Sequence, residues 1–241
     1  MTYGNNKWGK HRVMAGDAQL ARHLPPTGPA TYAFVRRMLG LYGSVYLKPS
    51  HGTGGFGIFR ISRRNGAYEL RYRTVSRSFA SFDKAFGAFA RAKMNKRYLA
   101  QKDISLLRHR GRPFDVRVML QRGARREWTV TGIVGRLAGP RKIVTNYHSG
   151  GKPMQVAELL ASSMSRTERE VCVNRMKSLS LRIGKRMSRS FPRFRAFGID
   201  LGLDRNRKPW IIEVNSKPDK SIFRALADKR MYRTIMRFAK R

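Results

Sequence analysis

The sequence predicts an α+β protein with two lobes. Segments that alternate like strands and segments with helical spacing follow one another along the whole chain. With 241 residues, 41% of them hydrophobic, the chain is long enough to bury a sizeable core. The elements change in character near residue 104, where short strands give way to longer strands and a long helix. We therefore expect the two lobes to meet there.

The chain is expected to begin with helices. A loop and a short helix are predicted near residues 8–22, followed by a Pro-rich turn. A second helix is predicted near 30–40, with Thr27 or Thr31 as its N-cap. We assign residues 1–42 to an N-terminal helical segment.

Residues 43–104 are predicted to form the small lobe. The segment SVYLKPS is a strand that stops at its proline, and HGTGGFG is a glycine-rich loop. The segments FGIFRIS and AYELRYRT form a hairpin across the turn RRNG. An amphipathic helix, SFDKAFGAFARAKM, and a further strand, RYLAQKDI, complete the lobe.

Residues 105–241 are predicted to form the large lobe. Ser165 and Glu168 fit a capping box that opens a helix reaching about residue 188. A long loop precedes this helix, and a basic helix closes the chain. The predicted strands are 114–121, 126–137, 197–203 and 209–215, and the loop runs from about 139 to 163.

The charge of the chain indicates anionic partners. There are 52 Lys and Arg residues against 14 Asp and Glu, a net charge of +38. Such an excess attracts nucleic acid, anionic wall polymers or acidic coat proteins. The basic residues are spread along the chain, so no single tail serves as a nucleic-acid arm. A lone cysteine, Cys172, and the lack of a signal peptide or membrane span favour an intracellular setting.

The last hairpin carries two carboxylates within apolar strands. Alternation turns Glu213 and Asn215 away from Ile212 and Val214, and Asp200 likewise points opposite to its apolar neighbours. Asp200 is expected across from Ile212 or Glu213. Two buried carboxylates so close require a cation between them. Three oxygen donors favour Mg²⁺, and a Lys or Arg side chain is the alternative.

A glycine-rich loop is the second feature with chemical meaning. Glycines at 52, 54, 55 and 57 lie between two strands and allow backbone N–H groups to surround an anion. Lys48 ends the preceding strand and would add a positive charge. The spacing fits neither a Walker loop nor a Rossmann turn, and a flexible turn is the alternative.

Five motifs occur in a recognisable order: YLKPSHGTGGFGI, GRPFDVRVML, TNYHSGG, FGIDLGLD and IIEVNSKP. In this order they resemble the ATP-grasp enzymes, and most closely the YheC/YheD-like, endospore coat-associated branch. The resemblance spans about residues 5–223. It implies an ATP-grasp fold, in which ATP lies between two α+β lobes. The extra N-terminal lobe usual in that family is expected to be lacking, which leaves the substrate class open.

The resemblance also implies roles for individual residues. Lys48 and Lys7 would contact the nucleotide phosphates, with Lys10 as a competing candidate for the second position. The backbone of Lys102 and Ile104 would hold the adenine, and Asp103 would take the ribose. The full set expected to bind nucleotide is Lys7, Lys48, Gly54, Gly55, Gly57, Gln101, Lys102, Asp103 and Ile104.

The remaining implied roles concern metal, catalysis and the second substrate. Arg117 would stabilise the transferred phosphoryl group, or alternatively pair structurally with Asp115. Arg136 would line the phosphate side. The metal ligands would be Asp200, Glu213 and Asn215, and the acceptor loop would contribute Asn146, His148, Gly150 and Gly151.

The function implied is that of a ligase using ATP and Mg²⁺, or Mn²⁺. It would join a carboxylate to an amine or thiol through an acyl phosphate, on an acidic peptide or macromolecule in sporulating cells. One alternative is a non-catalytic protein of the same fold that binds spore-coat or cell-wall polyanions. The other is a nucleic-acid-binding protein that stacks bases on Tyr68, Tyr72 and Phe59. The expected location is the cytoplasm, with association with the spore.

Overall fold

The computed structural model of the chain describes residues 3–52, 54–123, 127–140, 142–145, 147 and 150–240. These residues form two α+β lobes, each built on an antiparallel sheet. The predicted α+β fold class is confirmed. Within the described ranges, no helix combines the length and apolar character needed to cross a bilayer.

The small lobe is a six-stranded sheet with the order β1-β6-β2-β3-β4-β5. Two helices cover one face, where Leu47, Ile61 and Phe89 are buried. Alternation along β2 leaves Tyr46 and Lys48 on the opposite face. The elements are β1 (Thr27–Pro29), β2 (Ser44–Pro49), β3 (Phe59–Arg64), β4 (Ala67–Tyr72), β5 (Val75–Phe79), β6 (Tyr98–Lys102), α3 (Tyr32–Tyr42) and α4 (Phe82–Ala92).

The large lobe has the strand order β10-β9-β8-β11-β12, with β7 pairing to β8. Its strands are β7 (Arg108–His109), β8 (Arg112–Arg122), β9 (Trp128–Leu137), β10 (Lys152–Met154), β11 (Ala196–Leu203) and β12 (Pro209–Asn215). The remaining helices are α1 (Lys7–Ala15), α2 (Ala18–Ala21), α5 (Val156–Leu160), α6 (Arg166–Ser190), α7 (Ser221–Arg224) and α8 (Arg230–Ala239).

The two faces of the large sheet are covered differently. On one face, Val116 and Val118 belong to the core that α6 closes with Met176. On the other face, Met119 packs against Phe223 beneath α7 and α8. Asp115 precedes Met119 by four residues on β8, so it shares this second face and lines the space between the lobes. The second face is thus apolar at one end and polar at the other.

Local signals in the sequence account for where three helices begin. The Thr31 hydroxyl accepts a hydrogen bond from a backbone N–H at the start of α3, and Ser81 does the same for α4. Ser165 and Glu168 form the predicted capping box at α6. Capping satisfies backbone N–H groups that have no partner within the helix.

The structure also contains short elements that the sequence did not predict. The region expected to be a loop over 139–163 holds β10 and α5, and β1, β5 and β7 were not expected. The first helix stops at Ala15, and Asp17 caps a separate α2. Short strands are stabilised by the neighbouring strand more than by their own pattern, so sequence periodicity does not reveal them.

Residues 1–42 divide between the two hydrophobic cores. Val13, Met14 and Leu20 from α1 and α2 are buried in the large-lobe core against α6. Val35 and Leu39 from α3 are buried in the small-lobe core. The predicted N-terminal helical segment therefore contributes to both lobes.

Candidate active site

A cavity of about 460 Å³ lies between the two sheets. The small lobe contributes residues of β2, β3, β4 and β6, and the large lobe contributes residues of β8, β9, β11 and β12. Residues 142–145 also line it. The Tyr46 hydroxyl donates to the Ile143 carbonyl oxygen at 2.8 Å, which joins the lobes at the cavity wall.

The acidic residues of the last hairpin meet at this cavity. Asp200 on β11 pairs in register with Glu213 on β12, and Gly198 pairs with Asn215. Asp200 is 3% exposed, whereas Glu213 and Asn215 are half-buried. Asp200 and Glu213 both line the cavity. The three residues expected to bind metal are therefore neighbours on two paired strands.

A β-bulge changes the alternation of this hairpin. The pairing register shifts between Asp200 and Leu201, so that β12 carries one extra residue there. Ile212 and Glu213 consequently both line the cavity, while Ile211 and Val214 are buried in the core. The expectation that Ile212 faces away from Glu213 is wrong because strict alternation fails at a bulge.

Buried arginines neutralise Asp200. Arg117 donates to both Asp200 carboxylate oxygens, the longer contact being Nη2 to Oδ2 at 3.1 Å. Arg136 donates from Nε to Asp115 Oδ1 at 2.7 Å, and its Nη2 lies 3.0 Å from Asp200 Oδ2. Arg117 therefore takes Asp200 as its partner, and the alternative Asp115–Arg117 ion pair is absent from the described contacts.

The pKa values of this cluster follow from burial and pairing. Burial alone would raise the pKa of Asp200, but Arg117 and Arg136 outweigh it and hold the pKa below its usual range. Burial disfavours the charge on Arg136, yet Asp115 and Asp200 raise its pKa. Asp115 and Asp200 are matched by the two arginines, so these four side chains form a compensated buried network.

The lysines have a different environment. Lys7 Nζ lies 3.0 Å from Glu213 Oε1 and donates to the Gly52 carbonyl oxygen at 2.6 Å. Lys48 Nζ donates to the neutral Gln101 Oε1 at 2.6 Å. Burial lowers the pKa of Lys48 to about 8, with Glu213 opposing the shift and Lys7 adding to it. Burial also lowers the pKa of Lys10, which lines a smaller pocket beside Lys7.

The glycine-rich loop joins β2 to β3 at the edge of the cavity. Gly52, Gly54, Gly55 and Gly57 all have positive φ, at 140°, 72°, 79° and 70°. Other residues would be strained in this backbone conformation, which explains the glycines. The loop ends at Ile58, which lines the cavity. The carbonyl contact from Lys7 ties the loop to α1.

Strand β6 and the two residues after it, where the small lobe passes into the large lobe, form the hinge and lead directly into the cavity wall. Gln101, Lys102, Asp103 and Ile104 all line the cavity. Ile104 is 7% exposed, and its backbone N–H donates to no acceptor among the described residues. Asp103 Oδ2 accepts a hydrogen bond from Arg60 Nε at 2.7 Å. A buried N–H without a partner is uncommon and is available for a ligand acceptor.

Two lysines and two aromatic rings form cation–π contacts beside β6. Lys102 Nζ lies 4.7 Å from the Tyr42 ring centre and 5.7 Å from that of Trp210. Lys208 Nζ lies 4.0 Å from the Trp210 ring centre on the large lobe. Cation–π contacts of this kind are favourable at such distances. We call these four residues the hinge stack.

The oxygen donors suit a divalent cation that arrives together with phosphate. Carboxylate and amide oxygens are the ligands Mg²⁺ prefers. However, Glu213 is already paired with Lys7, and Asp200 with two arginines. A bare ion would add positive charge to a compensated cluster, whereas a magnesium nucleotide is a net anion. Among the described residues, no three Asp, Glu, His or Cys side chains gather as a metal site.

The proposed acceptor loop is only partly described. Asn146 and His148 lie outside the described residues. Gly150 has φ of 89° and donates its N–H to the Tyr147 carbonyl oxygen at 3.0 Å. Gly151 is buried and precedes β10. The cavity wall is formed by 142–145 rather than by these two glycines.

Sequence reasoning missed a group of basic residues on the cavity wall. Arg60 and Arg71 are paired across β3 and β4 on the face opposite the small-lobe core. Arg64 at the end of β3 lines the same cavity, as do Arg112 and Arg205 from the large lobe. The even spacing of Arg60 and Arg64 along β3, which puts both on one face, was the available signal. Charge spread over the whole chain obscured it.

Curated relatives were found over almost the entire chain. Endospore coat-associated protein YheD of Bacillus subtilis (strain 168) is 28% identical over 225 residues, which cover 90% of this chain and 49% of that protein. Endospore coat-associated protein YheC of the same organism is 20% identical over 231 residues, covering 93% and 63%. This chain thus spans about half to two thirds of the length of these relatives.

Several solved structures share the fold. D-cycloserine synthetase DcsG has a TM-score of 0.57 and 13% identity, covering 95% of this chain and 69% of that one. N5-carboxyaminoimidazole synthase from Aspergillus clavatus, solved with ADP, has a TM-score of 0.56 and 13% identity, covering 90% and 45%. The ATP-grasp ligase PsnB has a TM-score of 0.53 and 14% identity, covering 98% and 60%. The arrangement of two sheets around a cavity is therefore the ATP-grasp fold.

The family described as YheC/D like ATP-grasp matches residues 2–240. This match includes both lobes, the glycine-rich loop and the last hairpin. The chain belongs to the YheC/D-like ATP-grasp family.

Proposed function

We propose that the cavity binds a magnesium nucleotide and that the chain is an ATP-dependent ligase joining a carboxylate to an amine or thiol. One observation carries this proposal. Asp200 and Glu213 face each other across paired strands, beside Lys48, a lysine that forms no ion pair with a described carboxylate. An acidic pair next to an uncompensated lysine suits a metal–phosphate ligand, which supplies both signs of charge.

The proposed reaction has two steps. An oxygen of the substrate carboxylate attacks the γ-phosphorus of ATP, the bond from that phosphorus to the β–γ bridging oxygen breaks, and ADP leaves. The resulting acyl phosphate is attacked at its acyl carbon by the amine nitrogen. Phosphate leaves with the electron pair of the broken C–O bond, and the nitrogen loses its extra proton to phosphate or solvent.

The side chains of this chain would act mainly by position and charge. Lys48 and Lys7 would neutralise phosphate oxygens, and the Ile104 N–H would donate a hydrogen bond to an acceptor nitrogen at the edge of the adenine. Arg136, which lines the cavity, would stabilise the transferring phosphoryl group. Arg117 would hold Asp200 in place through its bidentate pair.

Glu213, Asn215 and Asp200 would hold Mg²⁺ in contact with the nucleotide, and a bound Mg²⁺ would polarise the phosphate oxygens and offset their charge. Positive-φ glycines in the loop after β2 would let its backbone approach the phosphates closely. Together, loop and sheets would exclude water from an acyl phosphate that water destroys.

The relatives supply a biological setting for the proposal. Two B. subtilis proteins similar to this chain are named as endospore coat-associated. We extend this to a role in sporulating cells. The strongly basic composition supports substrates or neighbours that are acidic, such as coat or wall polymers.

The test is nucleotide binding by calorimetry, followed by ADP release with pools of carboxylates and amines. Glu213→Gln is expected to weaken magnesium–ATP binding by about tenfold or more, because a direct ligand is lost. Glu170→Gln is the matched control, since Glu170 is an exposed residue of α6 with the same charge change. If the unchanged chain binds no magnesium–ATP at millimolar concentration, the ligase proposal is wrong.

That negative result would favour the second candidate, a non-catalytic ATP-grasp protein that binds polyanions. The charge of +38 is the observation that supports it. The remaining candidate, a nucleic-acid-binding protein that stacks bases on its aromatic rings, has less support. Phe59 is 3% exposed, and Tyr68 and Tyr72 pack on the small-lobe core, where their rings contact other rings.

A further inference from the structure

The cavity is lined by more positive charge than one nucleotide would neutralise. Ten of its lining side chains are Lys or Arg and four are Asp or Glu, an excess of six positive charges. A magnesium nucleotide brings a net charge of about −2. A cavity with low-dielectric walls concentrates the remaining field. The cavity therefore attracts further anionic groups beside the nucleotide.

Three of these basic residues come from separate elements. Arg64 ends β3 in the small lobe, Arg112 begins β8 in the large lobe, and Arg205 lies in the turn between β11 and β12. None of the three is within ion-pair distance of a carboxylate among the described residues. They differ in this respect from Arg60 and Arg136, which line the same cavity but are held by aspartates.

The chemistry of the wall favours carboxylates over nucleobases. A guanidinium group pairs with a carboxylate through two parallel hydrogen bonds. The described cavity wall contains one aromatic side chain, Tyr46, whose hydroxyl is already engaged with Ile143. A site that reads single-stranded nucleic acid needs several exposed rings for base stacking.

We infer that the carboxylate substrate is an acidic polypeptide segment, with one carboxylate activated beside Glu213 and neighbouring carboxylates bound by Arg64, Arg112 and Arg205. This inference rests on the proposed ligase function for the identity of the activated group. It adds the substrate class and the residues that select it. The binding part of the inference is measurable without any turnover.

The experiment measures fluorescence anisotropy of a labelled hexaglutamate peptide with the full chain, with and without a non-hydrolysable magnesium nucleotide. The cavity variant replaces Arg64, Arg112 and Arg205 with Gln. The matched surface variant replaces Arg91, Arg175 and Arg224 with Gln. These three are exposed, do not line the cavity, and lower the net charge equally.

The matched variant is essential because the whole surface of this protein is basic. We expect the cavity variant to bind the peptide about tenfold or more weakly and the surface variant about twofold more weakly at the same salt concentration. Nucleotide affinity of the cavity variant should fall by less than its peptide affinity. If the cavity variant is unstable, Arg205→Gln alone, in an exposed turn, should still lower peptide affinity by about threefold.

Three results would overturn the inference. Equal losses in both variants would mean that overall charge alone attracts the peptide. A parallel fall in nucleotide affinity would assign the arginines to the nucleotide. Tighter, cavity-dependent binding of a six-nucleotide single strand would mean a polyphosphate site.

Failure of the ligase proposal would give a result different from these three. In that case the unchanged chain would bind the peptide through the three arginines and would bind no magnesium nucleotide.

Discussion

Arg136, which is buried, and Lys48, which is half-buried, are cations that line the same cavity, yet their surroundings oppose each other. Arg136 on the large sheet is held by Asp115 and Asp200, which raise its pKa. Lys48 on the small sheet meets the neutral Gln101, and burial lowers its pKa to about 8. The large sheet therefore presents charges that are balanced within the protein. The small sheet presents Lys48, whose charge has no ion-pair partner among the described residues and is only partly offset by Glu213.

This difference indicates that the two sheets have different roles in ligand binding. A compensated network such as the one on the large sheet is rigid before any ligand arrives, because each charge already has its partner. A lysine without an ion-pair partner lowers the free energy of unfolding of the free protein. Binding of an anion beside this lysine removes that destabilisation. Three perturbations test the comparison.

The largest change in stability is expected when the charge balance of the buried network on the large sheet is broken. Asp200→Ala would leave Arg117 buried without its carboxylate, and Arg136 with one partner in place of two. We expect the free energy of unfolding to fall by ~3–5 kcal/mol, the usual cost of breaking a buried ion pair. Urea unfolding measures it. Asp228→Ala, which removes a surface pair with the exposed Arg230, is the control and should change the free energy of unfolding by less than ~1 kcal/mol. A loss below ~1 kcal/mol at Asp200 would mean that the network is not compensated as described.

On the small sheet, we expect a substitution to increase stability rather than to lower it. Lys48→Met should raise the free energy of unfolding by ~2–3 kcal/mol at neutral pH while weakening nucleotide binding, because the buried charge is removed. The folded-state pKa of about 8 lies below the ordinary value of 10.5. The cost of the charge is therefore fully present below pH 8 and disappears as pH rises toward 10.5.

The stability difference between Lys48→Met and the unchanged chain should narrow over that same interval of pH. Thermal unfolding followed by circular dichroism at several pH values tests this. A lysine variant at an exposed site, Lys185→Met on α6, is the control and should show no such pH dependence. A destabilised Lys48→Met protein would contradict the comparison.

The smallest change in stability is expected when Mg²⁺ is added without nucleotide. Because Asp200 and Glu213 are already paired with cations, millimolar Mg²⁺ without nucleotide should shift the unfolding temperature by less than about 1 °C. Magnesium with ATP should give a clear increase. Calorimetric unfolding with and without each component measures both. A large shift with Mg²⁺ alone would show that the ion displaces Lys7 or the arginines unaided.

Sequence patterns predicted the parts of this site that depend on local order. Strand alternation and the hairpin predicted Asp200 across from Ile212 or Glu213, of which the structure shows Glu213, and the motif order indicated the ATP-grasp fold. The arginine partners could not be obtained in this way, since Arg117 and Asp200 are 83 residues apart and meet only through strand pairing. The bulge that brings Ile212 to the cavity likewise has no signature in a single sequence.

The hinge stack has a practical consequence. Tyr42 belongs to the small lobe and Trp210 to the large lobe, with Lys102 between them. Indole emission responds to a nearby ammonium group and to solvent, so any rotation of one lobe against the other alters the light that Trp210 emits. The other two tryptophans, Trp8 beside His11 and Trp128 against Phe197, lie outside the hinge stack. Trp210 fluorescence is therefore an intrinsic probe of cleft opening, and no dye has to be attached.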